Sequence, residues 1–216
     1  MLRKARGVGE AATRDGLRGA RIAAGRFPQQ VLELKSLLEG SHRPVRLQPE
    51  VDTVPQLWLL GSSDYSGALA AQLGLAFAFA HFINPRGGEL VTRAYRDNFR
   101  GEKPRAIVCT FAIVAETDEE AERLAAPIDL RRLHMALNID SPVPTDEEAA
   151  RHRYSEEERH YVRSQRERAV IGGVEKAVRE LKALVERYAA DELMILTITG
   201  DYESRRRSYE LLIEAF

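Results

Sequence analysis

The stretch that most constrains the fold is residues 54–82, because it reads as a complete strand–helix–strand unit. The continuous apolar run Leu57-Trp58-Leu59-Leu60 predicts a strand that is buried on both faces. The turn Gly61-Ser62-Ser63 follows. Small and apolar residues then recur at helical spacing from Ser66 to Leu73, and a glycine marks the end of that helix. The next apolar run, Leu75 to Phe82, predicts a second strand that pairs in parallel with the first.

The turn between the first strand and the helix carries candidate binding chemistry. Free backbone N–H groups, the positive end of the helix dipole and three serine hydroxyls together suit a phosphate group. Ligands of parallel α/β folds bind outside the carboxyl ends of the strands, where this turn lies. A second interpretation stays open, in which Ser62 or Ser63 simply caps the helix.

Three runs in this region carry a family resemblance: Leu-Leu-Gly-Ser-Ser-Asp-Tyr-Ser at 59–66, Ala-Ala-Gln-Leu-Gly-Leu at 70–75 and Ala-Phe-Ala-Phe-Ala-His-Phe at 76–82. Together they resemble the middle of a bacterial luciferase-like, flavin-dependent monooxygenase. The resemblance implies a parallel (β/α) barrel of the TIM type that binds reduced FMN at the carboxyl ends of its strands. It also implies that Ser62, Ser63 and Ser66 contact the FMN phosphate with help from the amides of residues 64–67. The implied cofactor-binding set is Gly61, Ser62, Ser63, Asp64, Tyr65, Ser66 and His81.

The loop after the second strand holds further candidates for the flavin pocket. The resemblance places His81, Phe82, Asn84 and Arg86 toward the flavin. The alternative for His81 is a packing residue, since a lone histidine at a strand end has that role more often than a ligand role. No catalytic residue is identified.

The rest of the chain supplies the expected framework. Residues 1–25, rich in Arg, Ala and Gly, predict a poorly ordered or helical segment, and 26–216 predict the barrel domain. Pro28, an apolar stripe and Gly40 predict a helix before the central unit. Core strands are expected at the following ranges: 56–60, 75–80, 106–115 and 193–199.

Several smaller motifs have structural interpretations. The acidic run after Thr117 predicts helix capping and not a metal site. The charged stretch from Glu147 to Arg168 predicts solvated helix, and the family has a mobile excursion near the active site at this point. Gly172-Gly173 retains a family turn without its capping hydroxyl, which puts a flavin contact there in doubt. Asp201 and Arg205 are spaced for an ion pair across one turn of the last helix.

The composition of the chain argues against several classes of partner and binding site. A net charge of −1 gives no support for nucleic acid or an anionic membrane as a partner. No apolar run reaches about 18 residues and no signal-peptide pattern is present. The single Cys109 excludes a disulfide framework and a cysteine metal cluster, and with it we expect a reducing cytoplasm.

The number of strands limits the functional prediction. The four expected strands account for the later part of an eight-stranded barrel, so two sheet edges and an apolar inner face lack a cover. The chain is then a fragment, a truncated gene product or a protein rebuilt as an oligomer, and a homodimer is the expected assembly. As an enzyme it would use O2 and FMNH2 from a separate flavin reductase to oxygenate a small organic substrate. The alternative is a non-catalytic module that binds flavin or phosphate, or serves only assembly.

Overall fold

The computed structural model describes residues 25–41, 45, 47–49 and 53–216. The chain divides into two compact units, residues 1–57 and 58–216. In the first unit helix α1 covers 25–38, and Gly40 follows it in the left-handed conformation with φ 69°. The helix predicted from Pro28 to Gly40 is therefore confirmed. The segment predicted at residues 1–25 lies outside the described residues except for Gly25.

The second unit alternates strands and helices. Its elements are β1 (Trp58–Gly61), α2 (Asp64–Leu73), β2 (Ala76–Ala80), α3 (Gly88–Asp97), β3 (Ala106–Ala115), α4 (Asp118–Ala136), α5 (Asp146–Arg151), α6 (Glu156–Arg166), β4 (Ala169–Gly173), α7 (Val174–Tyr188), β5 (Glu192–Leu196) and α8 (Tyr202–Ala215).

All strand pairs in the sheet are parallel. The strands β1, β2, β3 and β5 lie side by side in chain order, which confirms the predicted partial barrel of (β/α) units. Strand β3 is long enough to take two partners in succession, β5 along 107–111 and β4 along 111–115. Strand β4 was not among the four core strands expected from the sequence.

The outer face of the sheet is the helix-covered core. Phe77 packs on Tyr95 of α3 with ring centroids 5.4 Å apart, and Phe79 packs on Tyr188 of α7 at 5.3 Å. Further along β3, Ala112 and Val114 share a buried cluster with apolar residues of α7 and α8. The continuous apolar runs of these strands are explained by this cover on one side and by the inner face on the other.

The inner face is the opposite side of the same four strands, formed by Trp58, Leu60, Ala78, Ile107, Cys109 and Met194. Its centre is buried, with Ala78, Ile107 and Cys109 in one cluster that Trp58 and Phe82 flank. Burial raises the pKa of the Cys109 thiol to about 11, so the thiol stays protonated and unreactive at neutral pH.

The segment between β3 and β4 forms helices that dock on one another. The buried carboxylate of Asp129 on α4 accepts two hydrogen-bonding contacts from Arg166 of α6, at 2.8 Å from Nε and 2.7 Å from Nη2. Burial raises the pKa of Asp129, and the hydrogen bond from Arg166 opposes that shift. The solvated helices predicted here are thus held on α4 by the ion pair to buried Asp129 and by an apolar cluster of Leu130, Leu133 and Ala149. None of the helices in the described part of the chain is both long and apolar enough to span a bilayer.

Candidate functional site

The turn between β1 and α2 is built on a close approach of two residues. A Cβ atom added to Gly61 would lie 2.3 Å from Ser66 Oγ and 2.4 Å from Ser66 Cβ. The sequence placed a turn at Gly61-Ser62-Ser63, and Gly61 does not have a positive φ in that turn. Its lack of a side chain is needed because the first turn of α2 folds back onto the end of β1.

Ser63 and Ser66 form a reciprocal cap at the start of α2. Ser63 Oγ accepts a hydrogen bond from the Ser66 amide at 3.3 Å, and the Ser66 hydroxyl donates to the Ser63 carbonyl at 2.7 Å. The two hydroxyl oxygens lie 3.2 Å apart, so the structure brings these two predicted residues together. Ser63 is the N-cap of α2, one of the two residues that the second sequence interpretation named, and Ser66 completes the capping box.

The donors that remain for an anion are few and adjacent. Of the four amides expected to assist, those of Tyr65, Ser66 and Gly67 already have acceptors within the turn. The Asp64 amide and the hydroxyl of half-buried Ser62 make no hydrogen bond to any described residue. Ser63 can also donate its hydroxyl hydrogen outward, because its oxygen acts as an acceptor in the cap.

One charge in the turn opposes an anion. The Asp64 carboxylate accepts a hydrogen bond from the Tyr65 amide at 2.8 Å and therefore occupies a donor at the positive end of α2. Both side chains are exposed. A phosphate at this helix end would have to displace that carboxylate toward solvent.

His81 is a buried residue at the end of β2, with only 5% of its surface exposed. Its Nδ1 lies 2.9 Å from Tyr188 Oη, and the Tyr188 hydroxyl also contacts the Pro85 carbonyl at 3.0 Å. When that hydroxyl donates to Pro85, it can only accept from His81, which then carries its proton on Nδ1. Burial, aided by the charge of Arg187, lowers the pKa of His81 to about 4. The imidazole is therefore neutral at physiological pH.

The other residues expected near the flavin make local contacts. The Asn84 side chain accepts a hydrogen bond from the Arg86 amide at 3.2 Å, and Arg86 pairs with Glu167 at 3.5 Å on the surface. Phe82 packs edge-on against Phe111 with ring centroids 5.5 Å apart. These contacts fix the loop that follows β2 but do not by themselves mark a ligand.

The Gly172-Gly173 turn receives its cap from another element. Gly173 is the N-cap of α7 and has no side chain, and Asp118 Oδ1 of α4 accepts its amide hydrogen at 2.6 Å. The hydroxyl that this chain lacks relative to the family pattern is thus replaced by a carboxylate from the neighbouring helix. That carboxylate makes the turn unfavourable for a phosphate.

The predicted pair between Asp201 and Arg205 is wrong for the described structure. Asp201 is the N-cap of α8, and its Oδ1 accepts the Ser204 amide at 2.8 Å. These hydrogen bonds hold the pKa of Asp201 below its usual value. A capping carboxylate points back over the helix start, whereas an ion pair one turn later would require it to point along the helix.

Cavities and possible metal ligands add few candidate residues to the turn between β1 and α2. A cavity of about 520 Å³ lies between α2 and α3 on the helical side, and Asp64 is the residue of the turn that lines it. In the described ranges, no group of His, Cys, Asp and Glu residues has an arrangement that could hold a metal ion.

The comparisons with known proteins decide the family. Residues 20–191 match the family model described as luciferase-like monooxygenase. The chain belongs to the luciferase-like monooxygenase family. The match contains β1, the serine turn, α2 and β2, which are the elements that carried the resemblance in the sequence.

Relatives of this luciferase-like chain are longer than it is. YwcH of Bacillus subtilis is 39% identical over 209 residues, which cover 92% of this chain and 63% of YwcH. A luciferase-like monooxygenase of Escherichia coli K12 is 31% identical, over 87% of this chain and 58% of its own length. The chain therefore spans about three fifths of the length of these relatives.

Solved structures agree with the family assignment. Apo-MsnO8 superposes with a TM-score of 0.77 at 29% identity, over 88% of this chain and 59% of its own. The oxygenating constituent of 3,6-diketocamphane monooxygenase from Pseudomonas putida, solved with FMN, superposes with a TM-score of 0.51 at 19% identity, over 83% and 53%. At 19% identity, the likeness to the 3,6-diketocamphane monooxygenase constituent shows only a shared fold.

Proposed function

We propose that this chain takes part in a flavin-dependent monooxygenase reaction in which the turn at the start of α2 holds the phosphate of reduced FMN. The observation that carries the proposal is the position of Ser62, Ser63 and the Asp64 amide. They lie at the carboxyl end of a parallel strand, in a region matched by the luciferase-like family model. Fixed donors at this end of a strand are the recurring phosphate site of α/β folds.

The three donors fit a terminal phosphate in number and kind. Two hydroxyls and one backbone amide would make charge-assisted hydrogen bonds, each contributing about 1.5–3 kcal/mol. Ser66 acts as a positioning residue, because its hydroxyl orients Ser63 through the reciprocal cap. The residues proposed as the cofactor-binding set remain Gly61, Ser62, Ser63, Asp64, Tyr65, Ser66 and His81.

Reduced FMN, when bound, would supply the chemistry with O2. The chain would hold the FMN phosphate and exclude water from the site. His81 contributes through packing, because a neutral imidazole with a pKa of about 4 does not transfer protons at neutral pH. It holds Tyr188 of α7 and the loop at Pro85 on the helix-covered side of β2. The substrate proposed is a small organic molecule, with a separate flavin reductase as the source of FMNH2.

The proposal also includes a macromolecular partner and a cellular compartment. A second copy of the chain is the proposed macromolecular partner. The reducing cytoplasm is the proposed compartment, which suits the free, buried thiol of Cys109.

A second candidate function is a module that binds FMN or phosphate without catalysis. It is favoured by what the described residues offer, since the strands β1, β2, β3 and β5 supply only part of a pocket wall. The Gly172-Gly173 turn, blocked by Asp118, also reduces the contacts available to a flavin.

Titration of flavins into the purified chain tests the proposal. FMN, oxidised and anaerobically reduced, should bind at least about 10-fold more tightly than riboflavin, because only FMN carries the phosphate. Equal affinity for FMN and riboflavin would contradict the phosphate site. Oxygenation of organic substrates by the chain with FMNH2 and O2 would then favour the enzyme, and FMN binding without turnover the module.

A further inference from the structure

We propose that this chain binds a small organic carboxylate in an open cavity between α4, the segment 137–145 that follows it, and α5. The cavity has a volume of about 410 Å³. Its lining comes entirely from residues between 130 and 152, so one stretch of the chain forms the whole site. No lining residue belongs to the turn between β1 and α2, and the inference therefore does not depend on FMN binding.

The walls of the cavity are held in place by contacts behind them. Leu130 and Leu133 of α4 share a buried apolar cluster with Ala149 of α5. The start of α5 is fixed by a capping box, in which the side chains of Thr145 and Glu148 each accept the other's backbone amide. The cavity is thus formed before a ligand arrives, which lowers the entropy cost of binding.

Two histidines of the lining carry ring nitrogens that the protein does not pair. His134 Nδ1 lies 3.0 Å from Ser141 Oγ, and its Nε2 makes no hydrogen bond to a described residue. His152 Nε2 is buried without a hydrogen-bond partner, because Glu158 Oε2 lies 3.7 Å away, beyond hydrogen-bonding distance. The two imidazole rings lie edge to face with centroids 6.5 Å apart. Unpaired buried polar atoms are rare in native proteins, and the oxygens of a ligand between these rings would satisfy them.

The charge of the lining favours an anion. Arg151 lies exposed in the last turn of α5 and forms no ion pair or hydrogen bond with the described residues. Glu148 is the acid of the lining, and its carboxylate accepts the Thr145 amide at 2.8 Å, which holds it at the start of α5. A guanidinium and the imidazoles of His134 and His152 are therefore the groups that remain for a ligand. A guanidinium with neighbouring N–H donors suits a carboxylate.

The rest of the lining is apolar, which favours an organic ligand over an inorganic anion. Leu130, Pro142 and Pro144 supply this surface, and the two prolines stiffen the wall that they form. The volume lies at the lower end of the range for small-molecule sites, so a short body such as one aromatic ring fits. The free guanidinium of Arg151 matches a single negative charge. Benzoate has this combination of features and is the probe we choose.

Titration of benzoate into the unmodified chain tests the proposal, with the imidazole nitrogens followed by NMR. Benzoate should bind saturably and shift the signals of His134 and His152. It should leave His160 unchanged, because His160 is exposed on α6 and does not line the cavity. Absence of saturable binding, or an equal shift at His160, would overturn the proposal.

Two other probes test the class of ligand. Benzyl alcohol has the shape of benzoate without its charge and should bind at least about 10-fold more weakly. Inorganic phosphate has charge without an apolar body and should not compete at the concentrations at which benzoate saturates. Benzyl alcohol that binds as tightly as benzoate would contradict the carboxylate contact, and phosphate that competes equally would contradict the apolar one.

Substitution of one arginine locates the charge. Arg151→Gln should weaken benzoate binding about 10- to 100-fold through loss of a charge-assisted hydrogen bond, and should leave benzyl alcohol binding unchanged. Arg153→Gln is the matched control, because Arg153 is also exposed but lies outside the lining, and its substitution should have no effect. Equal losses in the two variants, or no loss in Arg151→Gln, would overturn the assignment. Flavin is not added, so this proposal and the FMN site can fail separately, and the titration of the unmodified chain stands even if a variant fails to fold.

Discussion

The close approach of Gly61 to Ser66 gives a sharp test of how the turn is built. In Gly61→Ala the new methyl group would lie 2.3 Å from Ser66 Oγ and 2.4 Å from Ser66 Cβ. These are not the ends of a flexible side chain, because Ser66 belongs to the first turn of α2 and its hydroxyl is bound to Ser63. Either the helix start or the end of β1 must move.

The expected loss of stability follows from two effects. Overpacking at a site with little freedom costs about 1–3 kcal/mol, and loss of the cap at Ser63 costs about 1 kcal/mol more. We therefore expect Gly61→Ala to lower the free energy of unfolding by about 2–4 kcal/mol. The second variant, Gly61→Ala with Ser66→Gly, removes both atoms that overlap the methyl group. It should be more stable than the sum of the two single changes implies.

Urea unfolding followed by the fluorescence of Trp58 measures these effects, since Trp58 is the only tryptophan and lies in β1. The complete cycle needs the wild type, each single variant and the double variant. A Gly61→Ala protein within about 0.5 kcal/mol of wild type would refute the account of the turn, as would single changes that simply add.

Three further changes test other contacts. The folded-state pKa of His81 is about 4 against an ordinary value of 6.5. The unfolded chain therefore takes up a proton first as the pH falls, and stability should drop by about 3 kcal/mol between pH 6.5 and 4, a slope that His81→Gln should remove. Asp118→Ala removes the acceptor of the Gly173 amide and should cost about 1–2 kcal/mol in urea unfolding. Arg166→Met leaves the buried Asp129 carboxylate without its bidentate partner and should cost about 2–4 kcal/mol at pH 7, and less at acid pH where the carboxyl is protonated.

Each of these expectations has a result that would contradict it. A pH dependence unchanged by His81→Gln would assign the acid sensitivity to other groups. An Asp118→Asn variant that retains an oxygen acceptor should be less damaged than Asp118→Ala, and equal losses would argue against the cap. For Arg166→Met, a loss of stability that is the same at pH 7 and at acid pH would show that lost packing dominates.

The sequence predicted the sheet well because strands buried on both faces leave an unmistakable apolar run. β3 at 106–115 and β2 within 75–82 follow directly from such runs. β4 was harder to predict, because Ala169–Gly173 ends in two glycines and pairs only with the far half of a long strand. Its strand character depends on a partner that lies more than fifty residues away in the chain.

The site was predicted in part. Local pattern identified the serine turn and its capping chemistry, and the structure brings Ser63 and Ser66 together. Contacts between distant residues were not visible in the sequence. The pairing of His81 with Tyr188 and the cap that Asp118 gives to Gly173 both join segments that only the folded sheet brings together. The sequence placed a turn at Gly61, and the structure adds the close approach of Ser66 that requires a glycine there.

The phosphate site at the start of α2 is tested most directly at Ser62. Changes at Ser63 or Ser66 also break the helix cap, whereas the Ser62 hydroxyl makes no hydrogen bond to the described residues. Calorimetric titration of FMN and of riboflavin into wild type and Ser62→Ala therefore separates phosphate contact from folding. Loss of one charge-assisted hydrogen bond should weaken FMN binding about 10- to 100-fold and leave riboflavin binding unchanged. Equal FMN affinity in the two proteins would contradict the proposed site.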